Sequence, residues 1–268
     1  MPELPDVEVF KRYIDATSLK KKIVRVEVPD SKVLVDCSAG ELADAVRDNS
    51  LLGTRRWGKH LFAELDSGNW LALHFRMTSY PRYFKMPEGD EEDSRDARYD
   101  AVRFFFDNDY AFAFNSRRKL GRIQVIDDPD RFAEEHDLGP DALSLSEDQF
   151  AELAAGSRAG VKSMLMNQKL LSGIGNEYSD EILFQAKLHP EKKTNRLHEA
   201  GHRKLYRIMN EVLEEAINAK VDPEKMPDHF LTPNRQEGKP CPRCGSALEK
   251  ITAAGRSAYI CPSCQPEP

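Results

Sequence analysis

The sequence predicts an α+β protein of several domains, and three observations carry that prediction. Between residues 23 and 126 apolar and polar residues alternate in short runs, beyond about residue 140 apolar residues recur at three- and four-residue steps, and the C-terminal end holds two Cys-x-x-Cys pairs. Alternation is the period of a strand with one buried face, and the longer step is that of an amphipathic helix. The expected architecture is an N-terminal β-sandwich with a leading helix over residues 1–127, a helical domain over 141–222 and a small cysteine-held module over 238–268.

Taken in order, residues 6–17 place Val7, Phe10 and Ile14 on one face of a short helix. Strands are expected over 23–28, 61–65, 71–75, 102–106 and 123–126, separated by turn sequences such as Asp66-Ser67-Gly68-Asn69 and Asp107-Asn108-Asp109. A short helix over 43–49 interrupts the series, and the acidic insert near 87–97 is expected as an exposed loop between strands. After the polar stretch 127–140, Ser146-Glu147-Asp148-Gln149 reads as a helix start, with serine as the N-cap and acids in the first turn. Leu205, Ile208, Met209, Val212, Leu213, Ala216 and Ile217 line one face of a long helix, which Pro223 and Pro227 are expected to end.

Cys241, Cys244, Cys261 and Cys264 form two knuckles with sixteen residues between them. Each knuckle supplies two thiolates from a tight turn, so four sulfurs can fill the tetrahedron of one structural zinc ion and leave no open position for catalysis. Two short apolar runs around Ala253-Ala254-Gly255-Arg256 predict a hairpin between the knuckles, hence a zinc ribbon. A redox Cys-x-x-Cys would need only one pair and a βαβ setting. Cys37, remote from these four, is expected as a free thiol.

The chain has 268 residues, 40% of them hydrophobic, enough for two domains and an appendage. No apolar run reaches membrane-spanning length and no signal-peptide pattern opens the chain. Thiolate ligands and an odd count of five cysteines argue against a secreted disulfide scaffold, so a cytoplasmic location is expected. The net charge of −6 conceals basic clusters at Lys20-Lys21-Lys22, Arg55-Arg56-Trp57-Gly58-Lys59 and Arg117-Arg118-Lys119-Leu120-Gly121-Arg122. Because screening confines a charge's field to about 10 Å, a local basic face can hold phosphate on an acidic protein.

Two motifs carry chemistry. The chain begins Met1-Pro2-Glu3-Leu4-Pro5-Asp6-Val7-Glu8. Removal of Met1 would free the secondary amine of Pro2, and a secondary amine attacking an aldehyde-level carbon gives an iminium, an electron sink. An α-amino group titrates near about 7.7–8.0, so a neutral nucleophilic fraction exists at pH 7, and Glu3 stands beside it to exchange protons. The second motif, Gly173-Ile174-Gly175-Asn176, lies between two helical segments, where glycines let the backbone approach a phosphate and the next helix offers free N–H groups. An ordinary helix–helix turn fits the same four residues, but Lys162 and Lys169 nearby favour phosphate contact.

These features together resemble the formamidopyrimidine-DNA glycosylase and endonuclease VIII family: the Pro-Glu-Leu-Pro start, a helix–two-turns–helix element around residues 173–176, and a zinc ribbon with an arginine in its hairpin. The resemblance implies a bifunctional base-excision enzyme, a DNA glycosylase with abasic-site lyase activity acting on damaged, duplex DNA, with one structural zinc and no catalytic cofactor. By the same resemblance Pro2 attacks the sugar C1′, and Glu3 protonates the opened sugar oxygen. Lys59 is the β-hairpin lysine near the lesion. Asn176 and Arg256 grip the flanking phosphates, and Glu181 is a buried carboxylate near the terminal amine. A monomer working on the nucleoid is the default for this scaffold.

A base in a duplex is stacked, so an enzyme of this kind must extrude the nucleotide and fill the gap. Met77, Arg118 and Leu120 are the candidate fillers, as wedges or a guanidinium stacking on exposed bases; the alternative is that Met77 and Leu120 are strand core residues. Three departures stand out. Asp6 replaces a glutamate, Leu120 replaces a phenylalanine, and residues 220–241 are shorter than the loop that relatives fold over 8-oxoguanine, so no purine preference is implied. A competing function on the same scaffold is non-catalytic binding of lesions or abasic sites. Nothing resembles an RNA-recognition module.

Overall fold

The alternation of the N-terminal half resolves into two four-stranded antiparallel sheets. The computed structural model describes residues 1–86 and 96–267, so the acidic insert expected near 87–97 lies, but for its last two residues, outside the described residues. The strands are β1 (Ile23–Glu27), β2 (Leu51–Trp57), β3 (His60–Leu65), β4 (Trp70–His74), β5 (Ser79–Lys85), β6 (Asp100–Phe106), β7 (Tyr110–Ser116) and β8 (Arg122–Ile126). One sheet runs β1-β6-β7-β5 and the other β2-β3-β4-β8. Phe104, Phe106, Phe112 and Phe114 from the first sheet share a core with Leu61, Leu65, Leu71, Leu73 and Ile123 from the second, which is the β-sandwich the sequence predicts.

Three strands were not legible as alternation. β5 contains Pro81, which cannot donate to a ladder, and it sits at a sheet edge where that donor is not needed. β2 is also an edge strand, and its Arg55 and Arg56 conceal it as a basic cluster. β7 reads Tyr-Ala-Phe-Ala-Phe, where alanine and phenylalanine alternate by size and not by polarity.

The chain divides into two compact units, one of Met1–Pro2 and Val7–His136, the other of Glu3–Asp6 and Asp137–Pro268. The first helix, α1 (Leu4–Thr17), begins two residues before its expected start because Asp6 accepts from the Glu3 N–H at 2.8 Å and caps the first turn. α2 (Ala39–Val46) starts and ends before the expected 43–49, since Ser38 and Glu41 form a capping box that fixes its start. α3 (Pro129–Glu135) falls in the polar stretch 127–140; Asp128 caps it and Pro129 occupies its first turn.

The second unit holds α4 (Glu147–Gly156), α5 (Val161–Met166), α6 (Asn176–Ala186) and α7 (Glu199–Asn218). Ser146 and Gln149 close the expected capping box at the start of α4. Leu205, Met209, Val212, Leu213, Ala216 and Ile217 of α7 pack against Phe150, Leu165, Tyr178 and Ile182 in one core. α7 ends at Asn218, before either proline: Lys220 and Val221 take left-handed φ of 56° and 58° and turn the chain away. Strands β9 (Glu249–Ala253) and β10 (Arg256–Ile260) pair as the expected hairpin, with Ala254 and Gly255 both at positive φ, 53° and 68°, as a tight two-residue hairpin turn demands.

Candidate active site

The turn before α6 is built around a carboxylate from the far end of the chain. Glu3 is buried and accepts from three backbone N–H groups: Gly175 at 2.6 Å, Glu177 at 2.9 Å and Tyr178 at 3.2 Å. These are orphan donors of the first turn of α6, where the helix dipole also favours negative charge. The Leu4 N–H donates to the Gly173 carbonyl at 3.0 Å and closes the join. Both glycines are needed. Gly173 sits at φ 115°, where a Cβ would collide with the Leu4 side chain, and a Cβ on Gly175 would collide with the Glu3 carboxylate. Gln168 braces the turn, donating to the Ile174 carbonyl at 2.8 Å and accepting from the Gly173 N–H at 3.1 Å.

Next to Glu3, burial pushes the Asp6 carboxyl up to about 6 against the pull of the Glu3 N–H, and the carboxylates of Glu3 and Glu177 push it the same way as burial. The site therefore holds a second acid poised near neutrality within the same turn of chain. Pro2, half-buried, immediately precedes Glu3 in the chain.

Asn176 opens α6, and its side-chain amide donates to the Ser257 carbonyl of β10 at 3.0 Å, one residue from Arg256. Its Oδ1 is buried and has no partner among the described residues. Arg256 itself is exposed at the mouth of the hairpin.

Lys162 corrects an expectation. Its side chain has 0% exposure and its ammonium is hydrogen-bonded to Asp180, also at 0%, so it is not presented to a phosphate in solvent. Burial pulls its pKa down from the ordinary lysine value and the Asp180 carboxylate opposes that shift. Asp180, not singled out from the sequence, is the junction of this unit. It also accepts from Arg235 at 2.7 and 2.8 Å and from the Tyr259 N–H of β10 at 3.2 Å, and the Arg235 guanidinium lies 4.8 Å from the Tyr259 ring. An acid two residues ahead of Ile182-Leu183-Phe184, in a helix buried almost all round, was the available signal.

Glu181 is buried as expected, but its partners differ. It accepts from Leu231 N at 3.2 Å, from Thr232 N and Oγ1 at 2.7 Å each, and from Gln185 at 2.7 Å. Those four bonds use the acceptor sites of a carboxylate, so Glu181 holds the chain leading to the ribbon.

The four cysteine sulfurs all lie within 4.8 Å of one another, with Cys244 Sγ 3.5 Å from both Cys261 and Cys264 and Cys241 Sγ 4.0 Å from Cys264. Sulfurs at about 2.3 Å from a tetrahedral zinc stand roughly 3.8 Å apart, so this donor set fits one structural zinc ion. Arg243 of the first knuckle donates to the Phe184 carbonyl at 3.0 Å and to Gln185 Oε1 at 2.8 Å, fastening the ribbon to α6.

In the first unit, Lys59 occupies the two-residue turn joining β2 to β3, after Gly58 at φ 56°. His60, next to it, pairs across the sheet with His74, the rings 4.5 Å apart. Burial holds His60 well below the ordinary histidine pKa, as do the charges of His74, His136, Arg76 and Lys59; burial, then Arg76 and Lys59, hold His74 at about 4. In the sequence His74 looks only like the polar end of an apolar strand. Met77 and Leu120 are not core residues: Met77, in the turn between β4 and β5, is 40% exposed, and Leu120, in the loop between β7 and β8, is 37% exposed. Arg118, on that loop, points a guanidinium nitrogen at Met77 Sδ, 3.5 Å away.

Comparison with known proteins agrees over the whole chain. Residues 1–123 match the formamidopyrimidine-DNA glycosylase N-terminal domain, 138–226 its H2TH domain, and 238–266 the zinc finger found in FPG and IleRS. A formamidopyrimidine-DNA glycosylase of Pelotomaculum thermopropionicum is 33% identical over 99% of both chains, and one of Arabidopsis thaliana is 30% identical over 99% of this chain and 71% of its own length. The Lactococcus lactis Fpg in complex with DNA containing N7-benzyl-Fapy-dG superposes with a TM-score of 0.86 at 28% identity, covering 99% of this chain and 100% of that one. Another structure of the Lactococcus lactis enzyme, non-covalently bound to DNA with an abasic site, gives 0.85 at 29%, with the same coverage. On the 33% identity and near-complete coverage, this chain belongs to the formamidopyrimidine-DNA glycosylase family.

Proposed function

We propose that this chain excises damaged bases from DNA and then cuts the abasic strand, a bifunctional DNA glycosylase and abasic-site lyase of base-excision repair. The observation that carries the reading is the seating of Glu3: a buried carboxylate, held by three N–H groups at the start of α6, directly follows Pro2, whose freed secondary amine can form an iminium. With Met1 removed, the Pro2 nitrogen bonds to C1′ as the glycosidic bond breaks and its electron pair leaves with the base. The Glu3 carboxylate takes the proton from the attached Pro2 nitrogen and passes it to O4′ as the C1′–O4′ bond breaks, so the ring opens and an iminium is left between Pro2 and C1′. The iminium acidifies C2′–H, and loss of that proton expels the 3′-phosphate.

Lys59 and Arg256 complete the catalytic set as cations beside the phosphates that leave, and Asn176 grips the backbone. Met77, Arg118 and Leu120 fill the gap in the stack; their exposure on two adjacent turns supports this. Zinc, when bound, draws the two knuckles together. Cys241, Cys244, Cys261 and Cys264 hold it, and the hairpin between them presents Arg256. Residues 1–127, 141–222 and 238–268 divide the work as catalytic domain, helix–two-turns–helix domain and ribbon. Such an enzyme works where the genome lies, inside the cell on the nucleoid; among the described residues no helix is long and apolar enough to cross a membrane.

The test is borohydride trapping on DNA with an abasic site, comparing wild type with Pro2→Gly and Glu3→Gln. An adduct mapped to Pro2 by mass spectrometry, and lost in Pro2→Gly, is the expected result. Tight abasic-site binding with no adduct, Met1 being absent, would leave a lesion-binding protein.

A further inference from the structure

The turn that presents Met77 carries two non-glycine residues at left-handed φ within three positions, as the turn after α7 does at Lys220 and Val221. Arg76 and Thr78, on either side of Met77, take left-handed φ of 50° and 66°. For non-glycine residues this is uncommon, and for β-branched threonine it is a clear outlier. Residues 76, 77 and 78 are all exposed, so no burial of the Arg76 or Thr78 side chain offsets the strain.

The ends of the turn impose it. Phe75 is fully buried, its ring 5.4 Å from Phe114 and 4.7 Å from Phe10, and buried Ser79 is hydrogen-bonded to Ser116 at 2.9 Å. Between these anchors the Arg76 N–H donates to His74 Nδ1 at 3.1 Å. Backbone strain persists where surroundings over-determine it, and it concentrates at sites whose geometry matters for function.

We propose that Arg76 and Thr78 are positioning residues for the Met77 wedge, their left-handed backbone fixing the direction in which Met77 enters a DNA duplex. The inference rests on the glycosylase reading above and deepens it. Methionine has three rotatable side-chain bonds, and a rigid mount reduces what must be ordered when it inserts. A single strand has no stack to fill, so the benefit belongs to duplex DNA alone.

The experiment uses the full chain and an abasic-site oligonucleotide, single-stranded or in a duplex, with borohydride trapping rates and melting temperatures as readouts. Thr78→Gly releases the strain and loosens the mount. Its Tm is expected to rise by about 2–4 °C, while the duplex-to-single-strand ratio of trapping rates falls about fivefold. Thr78→Asn, which accepts left-handed backbone more readily than threonine but less freely than glycine, should fall between. A higher Tm with an unchanged ratio overturns the proposal, and so does a lower Tm, which would make the Thr78 side chain a structural support. Met77→Ala separates the layers: an unchanged ratio there removes the wedge and the proposal with it. Absence of any wild-type adduct on either DNA would instead strike the glycosylase reading.

Discussion

The Glu3 carboxylate and the Gly175 N–H, 172 positions apart in the chain, meet at 2.6 Å in the first turn of α6. That contact is possible only because position 175 has no side chain: a Cβ there would occupy the carboxylate's place. Gly175→Ala should therefore cost about 1–3 kcal/mol by overpacking and displace Glu3. We expect it to reduce adduct formation as strongly as Glu3→Gln. Gly156→Ala, at the end of α4, where no atom lies near a new Cβ, should leave the trapping rate near wild type. Equal trapping by Gly175→Ala and wild type would show that Glu3 need not be held by this turn.

Asp180 should be the most sensitive buried position of the second unit. Asp180→Asn leaves the Lys162 ammonium buried without its counter-charge, which costs about 3–5 kcal/mol for a broken buried pair. Urea midpoints of Asp180→Asn, Lys162→Met and the double variant test this. The double variant should recover part of the loss, because the buried ammonium is gone while the partly exposed Arg235 still lacks its counter-charge. Additive losses would mean that the two side chains do not act as a pair.

The first unit should lose stability in mild acid. His60 and His74 are neutral in the fold, with His74 at about 4. Unfolded histidine takes up a proton near 6.5, so below that pH the unfolded chain binds protons that the folded one refuses. The contribution is whole above pH 6.5 and is lost as pH falls toward 4, up to about 3 kcal/mol for His74. Urea melts at pH 7.5, 6 and 5 should show the decline, and His60→Phe, which keeps the ring packing, should flatten it. An equal slope in that variant would show that His60 carries none of the acid sensitivity.

Metal removal should act on the ribbon first. Its core is small, made of Phe184, Leu231, Leu248 and two of the cysteines. A strong chelator, or Cys244→Ser, should release the β9–β10 hairpin, as small metal-held modules unfold without their ion. Abasic-site DNA affinity should fall with the loss of zinc measured by atomic emission, while far-UV circular dichroism stays close to the holo spectrum. Unchanged affinity after complete zinc loss would show that Arg256 and Asn176 do not need the metal to grip DNA.

Much of this protein was written locally. The zinc ribbon was legible because four cysteines at knuckle spacing admit few alternatives, and the sandwich because Ile23–Glu27 and its like alternate by polarity. Edge strands β2 and β5 were not, since an edge tolerates the arginines and the proline that a central strand would refuse. Lys162 misled because its type is usually solvent-exposed, and only a partner on another helix, Asp180, allows it to be buried.

The sequence by itself determined the chemistry on offer: an amine at Pro2, a carboxylate at Glu3, four thiolates and a glycine turn, each carried by residue type and spacing. Tertiary structure alone decided which groups meet. It seated Glu3 on the N–H groups of α6, gave Asp180 three partners from three segments, turned Glu181 toward Thr232, and strained the backbone on both sides of Met77. The physical reason is that hydrogen bonds and ion pairs act over a few ångströms, and which groups come that close depends on the packing of segments far apart in the chain.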